Sequence, residues 1–466
     1  MTVKGASDPV EPGASRLLLP TLALLTTITA VVSSLGAPLV PSIAETYGVR
    51  LTTAQWSLTA TLLTGAVATP IVGRFASGRL RRPTILVGLA IVTAGTAIAI
   101  VPASYGVLVA GRAMQGVGMA LLPLAIATAR DALVGEPMNR AIALLSVTTV
   151  AGAGLGYPLT ALVAELGGLS AAYALGTALT AATLLMAWRH LPGSDEATPM
   201  KVDWAGAALL SVGMLAVLLA VSEGEVWGWG APSTVLVGLT GLGLLVVWGV
   251  WTMRSPTPLV DLRMAVRPGI AAPNLVALVA GLGMYCLLTL AVVLVRADEP
   301  GFGLGLPVIV AGLILVPYSI MSVLGNQLAR VVRVRLGRGL LLPTGCLMFL
   351  ASTVLLALAH DHLWQLLLAM AVGGVGSGFT FSSLAVLMVP YLPQAETGSA
   401  MAFNQVLRYL GFTVGSALSV ALMAVYGGGD HGFSATLLTV SAVFVVAAVG
   451  AVILDRAARP PVVAPH

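Results

Sequence analysis

The chain is 466 residues long, 58% hydrophobic and only 9% charged, with a formal net charge of +5 and a mean hydropathy of +0.99. A soluble domain is charged at roughly a quarter of its residues, so a water-soluble fold is excluded and a polytopic membrane protein is expected. A basic pI of about 9.5 could suit nucleic acid, but the basic residues form short clusters between apolar runs and no single patch, so none is expected to bind.

In chain order, a polar tail of residues 1–16 holds Lys4, Asp8 and Glu11, and the apolar run after it is too long for a cleavable signal. A helix needs about twenty apolar residues to cross roughly 30 Å of hydrocarbon. Runs of this kind, separated by Gly, Pro and charge, are predicted at 17–43, 53–74, 83–103, 106–130, 139–164 and 168–188. Two more follow at 204–222 and 234–253, then six at 268–296, 304–329, 339–359, 363–389, 397–426 and 432–454. The expected fold is an all-α polytopic membrane protein with fourteen transmembrane helices. Six-helix bundles at 17–188 and 268–454 flank a linker, 189–267, that carries two inserted helices, and a second tail covers 455–466.

Loop charge tests that count. With the N-terminus inside, nineteen of the 23 basic residues fall in inner loops or tails. Arg50 and Arg296 fall outside, and Arg112 and Arg408 fall within runs. This bias puts both termini in the cytoplasm. GRFASGRLRRPTIL after the second run and GNQLARVVRVRLGRGLLL after the tenth are both Gly-led and Arg-rich. They form a weak internal repeat, which pairs the halves and sets a substrate path between them.

Other chemistries lack their residues. Cys286 and Cys346 sit in apolar runs and read as packing. The five histidines, His190, His360, His362, His431 and His466, lie at run ends or in tails, and no GxxxxGK[ST] loop occurs. No metal, nucleotide or other cofactor is expected, and no enzyme.

Arg112 is the main anomaly. It lies about 9 Å inside the outer end of its run, where a guanidinium is costly unless something uses it. Gln115 and Gly116 share its face at i+3 and i+4, and Asp131 stands near the inner end. Arg112 either snorkels to the outer headgroups or serves the transport path. Arg408 follows Asn404 at i+4 and is either structural glue or part of a cavity. No Asp or Glu falls deep within a run, and Asp131 and Glu165 are the carboxylates nearest these helices. Sparse polar and aromatic groups that could line an apolar-walled cavity are Ser33, Ser34, Thr61, Gln115, Tyr157, Asn274, Tyr285, Tyr318, Phe379, Phe381 and Asn404. Each also suits ordinary packing.

AQWSLTATLLTGAVATPIVGRF (Ala54–Phe75), VWGWG after the seventh run, and VPYLPQAETGSAMAFNQVLRYLGFTVGSAL leading into the thirteenth carry a family resemblance. Over nearly its whole length the chain resembles the major facilitator superfamily, and within it the fourteen-span drug:proton antiporter family. Gly73, Arg74, Gly78, Arg81 and Arg82 match that family's loop between spans two and three, but Ser77 or its neighbour stands where the family has a latching aspartate. Arg112, Gln115, Gly116 and Gly118 match its fourth-span pattern, in which the arginine is implicated in proton transfer. Gly152, Gly154, Gly156 and Pro158 match the exporter motif of span five, with small residues near Thr160 and Ala161 replacing its closing glycines. The first-span aspartate is missing, and Val32, Ser33 and Ser34 occupy that place.

The resemblance implies a secondary transporter that exports amphiphilic drugs or metabolites by alternating access in exchange for protons. Arg112, Gln115, Asp131, Glu165 and Arg408 are its candidates for coupling and gating. A cationic substrate would need a buried carboxylate, so neutral or anionic amphiphiles are favoured. The expected partners are that small molecule, protons and membrane lipids, and the expected state is a monomer. An uncoupled facilitator, an uptake system and a transport-inactive receptor of the same fold are the alternatives.

Overall fold

The structure, a computed structural model, describes residues 12–35, 39–49, 51–54, 56–76, 78–101, 103–133, 135–193, 203–256, 258, 260–298, 300–393 and 396–457. Its first half consists of α1 (Pro12–Ser34), a short α2 (Val40–Tyr47), α3 (Trp56–Phe75), α4 (Arg81–Ile98), α5 (Tyr105–Gly116), α6 (Leu121–Ala132) and α7 (Glu136–His190). A hairpin of α8 (Trp204–Trp227) and α9 (Pro232–Arg254) follows. The second half runs through α10 (Pro268–Arg296), α11 (Val308–Leu313), α12 (Leu315–Leu336), α13 (Leu341–Leu358), α14 (Leu363–Met388), α15 (Thr397–Val425) and α16 (Gly429–Ala457). Among the described residues there is no β-strand.

Most of these stretches are apolar on every face. In hydrocarbon such a segment must pair its own backbone groups, which the α-helix does. Threonines inside them return their hydroxyls to the carbonyl one turn back, as Thr26 does to Leu22 at 3.2 Å and Thr436 to Gly432 at 2.7 Å. Asp203 caps α8 by accepting from Gly206 N at 2.8 Å and also accepts from Trp251 Nε1 at 3.0 Å, which fastens the two ends of the hairpin together. Among the described residues, 10 helical segments are long and apolar enough to cross a membrane, and Leu17–Val32 is apolar but shorter.

Four places bear on the predicted runs, three of them as departures. The run 17–43 is two elements, because α1 stops at Ser34 and Gly36 and Pro38 stand in the sequence before α2. The runs 139–164 and 168–188 keep their separation within α7, as two helices that meet at Gly168, whose φ of 73° and ψ of −174° suit glycine alone. The run 106–130 tightens into a 3-10 turn, Val117–Ala120, between α5 and α6. Lastly, α12 extends past its run to Leu336, which puts Arg330, Arg333 and Arg335 on a helix instead of in a loop.

One apolar core lies wholly in the second half, around Leu287, Phe349, Phe379 and Phe444. Another lies in the first half, around Val32, Ile43, Val92 and Tyr173. A third joins Leu25, Leu89 and Leu124 to Ala385, Met388 and Met401, so the halves pack together at the Arg-rich end. In the fourth, Met214, Leu218 and Trp248 of the hairpin pack on Leu63 and Ala66 of α3 and on Val406 of α15. The hairpin therefore covers the α3/α15 seam. On the other side, α7 meets α12 without such cover among the described residues.

Candidate functional site

Arg112 is fully buried and does not snorkel. Ser104 caps α5 by accepting from Val107 N at 3.3 Å, and two turns later the guanidinium enters the first half. Its Nε donates to Ser57 O and its Nη1 to Val32 O, each at 3.1 Å, and Nη1 also donates to Gln115 Oε1. Gln115 Nε2 in turn reaches Gly95 O at 3.4 Å, and the Thr61 hydroxyl donates to Arg112 O at 2.9 Å. Val32 lies in the last turn of α1, at the negative end of the helix dipole, and its carbonyl also accepts from Leu35 N at 3.2 Å. These bonds hold Arg112 inside the first half, among α1, α3 and α5, whereas the sequence suggested a side chain facing a path between the halves. Gly116 makes the close packing possible, since a Cβ there would stand 3.0 Å from Thr64 Cβ and collide with Thr61 O.

A cavity of about 280 Å³ does lie between the halves. Its walls are Leu122, Pro123 and Ile126 of α6, Ser146 of α7, Phe381, Leu384 and Ala385 of α14, and Met401, Asn404, Gln405 and Arg408 of α15. Arg408 is 5% exposed, with its Cζ 4.8 Å from the centre of the Phe381 ring and 6.0 Å from that of Phe412. Its Nη2 donates to Gln405 Oε1, and Gln405 Nε2 donates to Tyr409 Oη at 2.5 Å. Asn404 Nδ2 donates to Asn274 Oδ1 at 3.0 Å, and Phe412 stacks on Tyr285 with ring centres 4.5 Å apart. No carboxylate is among the cavity's lining residues. Among all described residues, Arg81, Arg112, His360 and Arg408 are buried, and no Asp or Glu is.

The Arg-rich end is fastened. Arg81 pairs with Asp131 at the end of α6, so a carboxylate from another helix serves the loop that lacks its own. Arg82 Nη2 donates to Trp188 O at 2.7 Å. Arg130 crosses to the second half, donating to Leu392 O at 2.7 Å and to the Thr397 hydroxyl. Arg333 of α12 pairs with Glu136 of α7. Gly73 meets Gly398 and Ala402 of α15, where a Cβ would stand 3.1 Å from Gly398 O and strike the Ala402 methyl.

The structure thus gathers Phe381, Asn404 and Arg408 into one cavity, with Asn274 and Tyr285 bonded or stacked behind them. It leaves Thr61 with Arg112, puts Tyr318 and Phe379 in the second-half core, and exposes Glu165 on α7 three residues before the Gly168 bend. Gly118 and Gly156 are buried, and Gly78, with a φ of 52°, opens the turn before α4. The side chains of Ser33, Ser34, Arg74, Tyr157 and Pro158, together with Gly154, lie outside the described residues. Ser146, Tyr409, Phe412, Arg130 and Glu136 were not singled out by the sequence. Arg130, Tyr409 and Phe412 are adjacent to a named residue or one helical turn from it, but which of a helix's faces meets the seam is fixed by packing. No group of three or more potential metal ligands occurs among the described residues.

Comparison with known proteins agrees with this architecture. The chain matches the Major Facilitator Superfamily over residues 22–251 and 273–465. It is 24% identical over 352 residues to multidrug resistance protein 3 of Bacillus subtilis, covering 74% of this chain and 67% of that one. It is 27% identical over 412 residues to the cephamycin export protein CmcT of Amycolatopsis lactamdurans, covering 85% and 82%. Among solved structures, the human organic anion transporter MFSD10 (TETRAN) superposes with a TM-score of 0.68 at 17% identity, covering 95% of this chain and 100% of that one. The chain is a membrane transporter, not an enzyme, and it belongs to the major facilitator superfamily.

Proposed function

We propose that the chain exports neutral or anionic amphiphilic small molecules from the cytoplasm by alternating access, in exchange for protons. In this reading it spans the membrane fourteen times as a monomer, with both termini cytoplasmic and the α8–α9 hairpin inserted between the bundles 17–188 and 268–454. The observation that carries the reading is Arg408. Its charge faces a cavity between the halves whose walls combine apolar side chains with Ser146, Asn404 and Gln405, and its neighbours there are an amide, a phenol and two aromatic rings. A desolvated guanidinium of this kind gains most from an acidic or strongly polar neutral ligand and repels a cation. Exporters of drugs and of an antibiotic among the relatives support the outward direction.

Arg112, Gln115, Asp131, Glu165 and Arg408 are the coupling and gating candidates in this scheme. Ser33, Ser34, Thr61, Tyr157, Tyr318 and Phe379 stay as candidates for other stages of the cycle. A second reading, an uncoupled facilitator, is favoured by the absence of a buried carboxylate among the described residues. Proteoliposomes with an imposed pH gradient, loaded in turn with an anionic, a neutral and a cationic amphiphilic dye, decide between them. Gradient-driven movement of the anionic or neutral dye is the expected result. Equilibration indifferent to pH means a facilitator, and strong cation export overturns the assignment to Arg408.

A further inference from the structure

A second cleft, of about 310 Å³, opens at the Arg-rich end of the uncovered α7/α12 seam. Asn139 and Arg140 of α7, Asn326, Arg330 and Arg333 of α12, and Ser382 and Ser383 of α14 supply its polar groups. Asn326, Ala329, Arg330 and Arg333 fall at helical spacing on one face of α12, so their presence together follows from the helix itself. Two of the three guanidinium groups here share one carboxylate. Glu136 accepts from Arg333 at 2.9 and 3.1 Å and from Arg140 at 3.4 Å, while Arg330 makes no ion pair with a described residue. The Asn326 side chain is only 8% exposed, lines the cleft and makes no hydrogen bond with any described residue. Its amide opens into the cleft and is available to a ligand atom there.

We propose that this cleft binds the phosphate of an anionic lipid headgroup, held by Arg330 and the Asn326 amide, with Arg140 and Arg333 supplying further charge. A basic pocket between membrane helices is chemically suited to such a headgroup. The adjoining flank of α12 continues the argument. Val323 and Ile320 are exposed about 10 and 15 Å along the helix from Arg330, where acyl chains would lie against them. The site is separate from the cavity of Arg408, since the two clefts use different residues of α14: Ser382, Ser383 and Val386 here, and Phe381, Leu384 and Ala385 there. The same phosphate chemistry could be met by free inorganic phosphate, so the test separates the two sources.

The full chain, purified in a neutral detergent, is mixed with equal amounts of phosphatidylglycerol and phosphatidylcholine, and the bound lipid is counted by native mass spectrometry. Phosphatidylglycerol should be retained in preference, and Arg330→Gln should cut that preference about fivefold, the weight of one cation near an anionic headgroup. Asn326→Leu, which fills the cleft, should also remove it, while Arg338→Gln, an exposed arginine outside the cleft, should leave it unchanged. If inorganic phosphate alone raises the melting temperature in an Arg330-dependent way and phosphatidylglycerol has no advantage, the cleft is a free-phosphate site. Equal retention by wild type, Arg330→Gln and Asn326→Leu overturns the proposal. So does a loss that Arg338→Gln matches, which would mark only general surface charge.

Discussion

Arg333 Nη2 stands 2.9 Å and 3.1 Å from the two carboxylate oxygens of Glu136, and this pair ties α12 to α7 across 197 residues of chain. Nearby, Arg130 ties α6 to the turn before α15 through the carbonyls of Leu392 and Pro393, at 2.7 and 3.3 Å. The two fastenings are unequal. Glu136 is 45% exposed, and an ion pair so open to water contributes about 0.2–1 kcal/mol. The Leu392 carbonyl belongs to a buried residue, and a hydrogen bond from a guanidinium to such an acceptor contributes roughly 1.5–3 kcal/mol.

Arg130→Ala should therefore open the Arg-rich end more than Arg333→Gln does. The expected gain in the open population is about tenfold or more for the first and below about fivefold for the second. Spin labels at Arg189 and Arg338, on opposite halves, report it as a longer distance population. Equal responses would mean that neither link decides the closure.

Arg408→Gln should lower transport of an anionic dye roughly tenfold, since a charge-assisted bond to the ligand is lost. Arg408→Lys keeps the charge but gives up the fork towards Gln405 and the stacking on Phe381, so it should recover only part of the rate. Initial rates in proteoliposomes, normalised to protein inserted, distinguish the three. Full activity of Arg408→Gln would remove this residue from the substrate's path.

For Arg112 the same pair of substitutions should behave differently. Its bonds to Val32, Ser57 and Gln115 use the guanidinium's fixed geometry. A lysine cannot reproduce them from the same backbone position, so Arg112→Lys should be nearly as impaired as Arg112→Gln in both thermal stability and transport. Rescue by lysine would show that charge alone is required there.

At Gly152 a Cβ would lie 2.7 Å from Thr27 O and 3.2 Å from Ala30 Cβ, so α7 could not rest on α1. Gly152→Val should cost about 1–3 kcal/mol, read as a lower melting temperature in detergent. Gly106, in the first turn of α5, faces open space, and Gly106→Ala should be neutral or stabilising by roughly 0.4–1 kcal/mol. A reversal of that order would contradict the packing of α1 against α7.

The helices were legible in the sequence because composition alone dictates them: an apolar run of this length has no other way to pair its backbone. Arg112 and Arg408 were legible for the converse reason, as charges where composition forbids them. Their surroundings were not. Arg112 meets Val32 and Ser57 only because three helices converge, and these residues lie 80 and 55 positions from it in the chain. The partner of Arg81 was hidden similarly. The absent loop aspartate suggested a broken latch, and the structure supplies Asp131 from the end of another helix. The break at Gly168 was legible in the sequence from the Gly-Gly pair that separates the two runs, whereas the break between α1 and α2 was hidden inside one apolar run despite Gly36 and Pro38.

The α8–α9 hairpin rests on α3 of one half and α15 of the other, with Trp248 beside Phe403 at 6.2 Å between ring centres. Two leaves sewn along one margin cannot part equally on both sides. Apolar packing binds the halves along the hairpin's margin, whereas the exposed Arg333–Glu136 pair fastens α12 to α7, so the spine of this bound book is the pair of helices that a simpler two-bundle plan would not contain.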